Sequence, residues 1–143
     1  TNLSVDLRNV AKLLKESGSY TGALDLNYRE FARIYEFVNN VGDRHKHNCY
    51  LVMVTMNTLP EQLADIEKIE KALDCMEQSI RSKIRKVDVC TRYSSMQYLI
   101  ILFEPQENQI PNVMERIFMH YYELCDRENF KPQYEYIKMT EVK

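Results

Sequence analysis

Apolar residues recur at three- and four-residue intervals from Leu63 to Ile84, at Leu63, Ile66, Ile69, Leu73, Met76, Ile80 and Ile84. The spacing predicts one long amphipathic helix. Thr58-Leu59-Pro60-Glu61 precedes it as a capping box, with proline compatible with the first turn. Helical spacing recurs elsewhere in the chain. Val5, Leu7, Val10, Leu13 and Leu14 mark a helix over about Ser4 to Glu16, stopped by Ser17-Gly18-Ser19, with Gly22 in the loop that follows. Phe31, Ile34, Tyr35, Phe37, Val38 and Val41 mark another, capped by Asn27 with Glu30 as its capping partner and ended by Gly42-Asp43. Pro111 opens a last one that turns Val113, Met114, Ile117, Phe118, Tyr121 and Cys125 inward.

Strand-like segments alternate with these helices. Cys49 to Met56 is apolar apart from Thr55, and its length suits a central strand buried on both faces. Val87 to Tyr93 and Gln97 to Phe103 are separated only by Ser94, Ser95 and Met96, which predicts a tight hairpin. Tyr134 to Met139 alternates and closes the set as an edge strand. From Cys49 onward the order is strand, helix, strand, strand, helix, strand. The expected class is therefore α+β, with a ferredoxin-like βαββαβ core. Right-handed crossovers place both core helices on one face of a four-stranded antiparallel sheet, with the helix at Asn27–Val41 packed beside it.

Composition narrows the function classes. A chain of 143 residues fits one domain, and a net charge of -2 with mixed signs argues against a nucleic-acid polymer as partner. No apolar run approaches the roughly 20 residues of a membrane span, and no secretory signal is visible. The chain starts at Thr1 without methionine, which suggests a piece of a longer protein with an upstream signalling domain. Cys49, Cys75, Cys90 and Cys125 match no disulfide scaffold or zinc spacing and lie in apolar segments; they read as buried thiols of a cytoplasmic protein. His45-Lys46-His47 with Cys49 has no second ligand cluster and reads as a solvated loop, and His120, beside Tyr121 and Tyr122, reads as a packed or half-exposed histidine rather than a general base. The ten tyrosines suit either core positions or an interface. Nothing calls for a cofactor or a metal.

One stretch carries a more specific signal. Arg85-Lys86-Val87-Asp88 leads into the first hairpin strand, and the turn reads Arg92-Tyr93-Ser94-Ser95-Met96-Gln97-Tyr98. The hairpin resembles the signature hairpin of the GGDEF (diguanylate cyclase) family, which writes Arg-Tyr-Gly-Gly-Asp/Glu-Glu-Phe there. The resemblance spans about Gly22 to Met139 and implies residues 1–20 as an N-terminal linker helix and 21–143 as a degenerate GGDEF domain of bacterial signalling. In that family two carboxylates hold divalent metal against the triphosphate of GTP, since hard oxygen ligands suit magnesium. Here Met96 stands at one metal position and Gln97 at the acidic catalytic position. Thr55 aligns with the other metal aspartate and Asn57 with the second acidic position. Glu70 falls near the guanine-reading aspartate. Ser94 and Ser95 replace the glycines and, with no histidine or acid to pair with, read as turn residues rather than nucleophiles. The implied outcome is loss of cyclase activity.

The family's inhibitory Arg-x-x-Asp motif for cyclic di-GMP is matched by Arg85 and Asp88 in the expected register. The chemistry is apt: an Arg fork donates to guanine O6 and N7, and a carboxylate accepts from N1–H and N2–H. The same pair also reads as ordinary solvated charge at a helix–strand junction. The sequence-based expectation is an inactive signalling module that senses cyclic di-GMP through Arg85 and Asp88. Open beside it stand a ligand-free dimerisation module, a GTP-binding regulatory domain and an atypical cyclase.

Overall fold

The computed structural model describes residues 7–13, 24–45, 48–58, 65–125 and 130–139. Residues 7–13 form a helical segment, α1, whose Leu7, Val10 and Leu13 are exposed. The remaining elements are β1 (Leu24–Leu26), α2 (Tyr28–His45), β2 (Cys49–Thr58), α3 (Ile66–Lys83), β3 (Val89–Ser94), β4 (Gln97–Phe103), α4 (Ile110–Leu124) and β5 (Phe130–Lys138). The expected stop at Ser17–Ser19, the 20/21 domain boundary, Pro60 to Leu63 and His47 lie outside the described residues.

The sheet order is β1-β3-β4-β2-β5. From β3 to β5 it is the antiparallel ferredoxin-like order that the element sequence predicts. The addition is β1, which pairs in parallel with β3, Leu24 opposite Val89 and Leu26 opposite Thr91. β1 has no signal in the sequence, because three residues carry no periodicity and their partner lies far along the chain.

The period-2 alternation of the strands divides the core in two. On one face Tyr50, Val52, Val54 and Met56 of β2 and Tyr98, Ile100 and Leu102 of β4 meet Leu73, Met76 and Ile80 of α3 and Met114, Ile117 and Tyr121 of α4. On the other, Cys49, Leu51 and Met53 of β2 and Leu99 and Ile101 of β4 meet Phe31 and Val38 of α2. Helix α2 thus covers the opposite face of the sheet from α3 and α4, rather than packing beside the core unit. The double coverage explains why the central strands are apolar on both faces.

Several boundaries differ from the sequence reading, each for a local reason. Asn27 caps α2 as expected, accepting from the Glu30 N–H at 2.9 Å. The helix then runs through Gly42-Asp43 to His45, since an isolated glycine weakens a helix without ending it. The cap of α3 is Asp65, which accepts from the Lys68 N–H, while Thr58 ends β2, drawn into the sheet by Phe130 of β5 opposite it. β5 starts at Phe130 rather than Tyr134; Pro132 is accommodated because this edge strand pairs only with β2. Pro111 lies in the first turn of α4. None of the described helices is long and apolar enough to cross a membrane.

Candidate functional site

Two adjacent strands, β2 and β4, position both groups of candidate residues. Their antiparallel register runs from Cys49 opposite Phe103 to Thr55 opposite Gln97. At the Gln97 end lies the hairpin tip; at the Phe103 end lies the Arg85–Asp88 pair.

At the tip, Arg92 pairs with Tyr98 and Ser94 with Gln97, so Tyr93 is an extra residue, a bulge. Ser95 and Met96 form the turn. The Met56 N–H donates to the Met96 carbonyl at 2.8 Å and ties the turn to β2. The Arg92 side chain donates from Nε to the Ser94 carbonyl at 3.3 Å and from Nη2 to the Ser95 carbonyl at 3.4 Å. A positive side chain therefore braces the turn from outside.

The structure brings Thr55, Ser94 and Gln97 together. The Gln97 amide Nε2 donates to Thr55 Oγ1 at 3.3 Å and approaches Met53 Sδ at 3.2 Å. Its Oε1 accepts from Ser94 Oγ at 2.9 Å, and Ser94 Oγ in turn accepts from the Met96 N–H at 3.3 Å. Both ends of the Gln97 amide are thus engaged, which fixes its orientation. Met96 is not part of this group: its side chain packs against the core under α3 and α4. Tyr98 points the same way and donates its hydroxyl to the Leu73 carbonyl at 2.8 Å. Asn57 is exposed at the end of β2, Ser95 is exposed in the turn, and Glu70 is exposed on α3. The groups at the tip are hydroxyl, amide and thioether. Magnesium and calcium favour carboxylate oxygens, which this cluster lacks. Among the described residues no group of three or more His, Cys, Asp or Glu gathers to hold a metal ion.

At the other end the geometry is charged. Asp88 Oδ2 accepts from the Arg85 N–H at 2.8 Å, and Asp88 Oδ1 accepts from the Phe103 N–H at 2.9 Å. Arg85 Nε and Nη2 reach the same carboxylate at 3.4 Å each, and Nη2 also donates to the Phe103 carbonyl. A turn, closed by the Asp88 N–H on the Arg85 carbonyl at 2.9 Å, carries Lys86 and Val87 outward. β3 accordingly starts at Val89 instead of Val87. Val89 pairs with Ile101, so the next inward-facing residue of β4, Phe103, has no β3 residue opposite it. The side chains of Asp88 and Arg85 take the place of that missing main-chain partner, one accepting and one donating. This use of an Arg-x-x-Asp spacing has no signal in the sequence, because it depends on where β4 ends.

The Asp88 side chain is only 2 % exposed, whereas that of Arg85 is 55 % exposed. The carboxylate is therefore internal, and the guanidinium lies at the surface with its orientation set from within. Lys83, two residues before Arg85, joins Arg116, His120, Met119, Glu115 and Glu123 in lining a cleft of about 280 Å³ between α3 and α4. Ser79 donates its only hydroxyl hydrogen to the Cys75 carbonyl at 2.7 Å. His120 Nδ1, 3.0 Å from Ser79 Oγ, must then be the donor of that pair. Nε2 of neutral His120 is left as an acceptor. His120 is half-exposed here, within what the sequence predicts, whereas Lys83 and Arg116 carry no sequence signal because the cleft forms from two helices remote in the chain.

No protein-family model and no curated protein matches the sequence. Solved structures do match. A DGC protein from Thermotoga maritima superposes with a TM-score of 0.65 at 17% identity, over 85% of this chain and 85% of that one. The FimX GGDEF domain from Pseudomonas aeruginosa gives 0.65 at 13% identity, over 82% and 78%. The coiled coil and GGDEF domain of DgcB from Caulobacter crescentus, solved in complex with c-di-GMP, gives 0.57 at 12% identity, over 96% and 81%. The chain has the fold of GGDEF domains.

The burial of Asp88 yields a stability expectation. Asp88→Ala strips the Phe103 and Arg85 N–H groups of their acceptor, at a cost of about 2–4 kcal/mol. Urea unfolding followed by circular dichroism measures it; a loss below about 0.5 kcal/mol would show that the carboxylate does not hold the end of β4.

Proposed function

We propose that this domain is a regulatory module of the GGDEF fold that does not condense GTP. The observation that carries the reading is the neutral cluster of Thr55, Ser94 and Gln97 at the hairpin tip. Phosphoryl chemistry on a triphosphate needs cations to neutralise charge on the leaving pyrophosphate. Hydroxyl and amide oxygens are weak ligands for such cations, and Gln97 is not a base. The amide is moreover already paired on both sides, so substrate would have to break those bonds to enter.

The direct test is incubation of the purified protein with GTP and either magnesium or manganese. The expected result is no cyclic dinucleotide and no pyrophosphate above background. Turnover that follows the protein through purification would overturn the reading. A gain-of-charge variant, Thr55→Asp with Gln97→Glu, places two carboxylates opposite each other across β2 and β4. Millimolar manganese is expected to raise its Tm by roughly 3–6 °C and to leave the parent unchanged. An equal response of the parent would mean that the native cluster already holds the ion.

A second reading concerns ligand sensing, and the outward guanidinium of Arg85 favours it. Arg85 is pre-oriented by Asp88: its Nε and Nη2 are committed to the carboxylate and to the Phe103 carbonyl, which leaves Nη1 to donate to a guanine acceptor such as O6 or N7. Lys83 and Arg116 line the cleft between α3 and α4 and offer positive charge for phosphate, beside the carboxylates of Glu115 and Glu123. Cyclic di-GMP, the ligand of the similar DgcB domain, combines both features. Asp88 here acts by holding Arg85 rather than by meeting the base, because its oxygens are already taken. Calorimetry with cyclic di-GMP is expected to show binding that Arg85→Ala weakens at least tenfold, with both proteins checked for folding by their Tm. No heat at high micromolar ligand would leave the ligand-free interaction module as the remaining reading. Binding with unchanged affinity in Arg85→Ala would place the nucleotide elsewhere.

A further inference from the structure

Helix α3 and the end of α4 bring two cysteines together that are 50 residues apart in the chain, Cys75 and Cys125, with their sulfurs 3.3 Å apart. Both are free thiols and half-buried, in contrast to Cys49 and Cys90, which are fully buried in the sheet. Cys125 caps α4. Its N–H completes the last helical bond to the Tyr121 carbonyl at 2.8 Å, and its backbone is already extended, at φ −136° and ψ 160°. The side chain of a cap residue turns with less hindrance than one inside a helix, so the sulfur has room to close toward the roughly 2.0 Å of a disulfide. As a resting contact the pair is weak, since a thiol is a poor donor and a poor acceptor. Tyr121, one turn before Cys125, has a buried hydroxyl without a hydrogen-bond partner among the described residues. Burial, then the neighbouring Cys125 and Cys75 sulfurs, push its pKa up. This corner of the core contains polar atoms that the fold does not otherwise employ.

We propose that Cys75 and Cys125 are a redox-sensitive pair, which a low-molecular-weight disulfide converts into an internal disulfide tying the middle of α3 to the end of α4. One protein thiolate attacks the small disulfide and releases one small thiol. The second protein thiol displaces the other from the mixed disulfide. The two cysteines lose two electrons and two protons, and the small disulfide takes up both as two thiols. Burial first, and then the Cys125 thiol, push the Cys75 pKa up to about 11, so Cys75 rests as the thiol at neutral pH and the exchange is slow there. The bond would join the two helices that wall the cleft containing Lys83 and His120, fixing their spacing. It would also close a long loop of the unfolded chain, where such bonds stabilise most.

The test uses the full chain, reduced and then incubated with oxidised glutathione at mildly alkaline pH, followed by alkylation under denaturing conditions and mass spectrometry. Of the four cysteines, two are expected to escape alkylation without retaining glutathione. A non-reducing peptide map should join Cys75 to Cys125, dithiothreitol should restore all four thiols, and the oxidised form should melt roughly 5–10 °C higher. C75S and C125S are each expected to form no internal bond and to retain at most one glutathione. Four alkylated cysteines after long incubation, stable glutathione adducts on the parent chain, or a bond that includes Cys49 or Cys90 would each overturn the proposal.

Discussion

The antiparallel register between β2 and β4 governs this molecule. By setting Cys49 opposite Phe103 and Thr55 opposite Gln97, it decides which side chains face α3 and α4 and which face α2. A slip of one residue would exchange the two faces: Val52, Val54 and Ile100, all fully buried beneath α3 and α4, would turn toward α2. Burying branched side chains of this kind stabilises by about 1.5–3 kcal/mol each. The register is therefore fixed by the core and not by the polar groups at its ends. Those groups are carried into place by strands whose position is already determined.

The two ends of that ladder lie about 20 Å apart and follow opposite electrostatic rules. At the Gln97 end the side chains are neutral and satisfy one another in a chain from Met96 through Ser94 and Gln97 to Thr55. At the Phe103 end a buried carboxylate is held by two main-chain N–H groups and a guanidinium. A buried charge is tolerable only when it is paired and hydrogen-bonded, and Asp88 meets that condition without help from solvent. Arg85 pays part of its hydration to do so but keeps a surface face. The asymmetry separates a residue whose role is internal from one that can still meet a partner.

The sequence made the central elements legible because their periodicity is long and unbroken: the repeat from Ile66 to Ile84, the apolar run after Cys49, and the hairpin around Ser95. It also disclosed caps that act locally, such as Asn27. What it hid depends on contacts remote in the chain. β1 exists only because β3 offers it an edge. Thr58 reads as a helix cap but becomes strand because β5 pairs with it, and Asp65 then caps α3. The placement of α2 on the far face follows from the double-sided apolar pattern of β2, which the sequence displayed without saying which helix would use it. Among the candidate residues, the motif register groups Thr55 and Gln97, whose side chains are joined by a hydrogen bond. It grouped Met96 with them, whereas the side chain of Met96 turns into the core on the other face. Arg85 and Asp88 look equivalent as charged residues in the sequence, and only the late start of β3 makes one of them internal.

The neutral tip has a consequence for the fold itself. Two carboxylates placed opposite each other on paired strands repel, and without a cation one of them must take up a proton or the strands must part. A site of that kind trades stability for metal affinity, as functional sites commonly do. Thr55 and Gln97 meet instead in a hydrogen bond between uncharged groups, which carries no such repulsion and changes little with pH. The hairpin can then close fully in the absence of metal and nucleotide, with Arg92 bracing its turn through the Ser94 and Ser95 carbonyls. The charge at the other end of the ladder stays at the surface in the guanidinium of Arg85, held from below by a carboxylate that is itself internal.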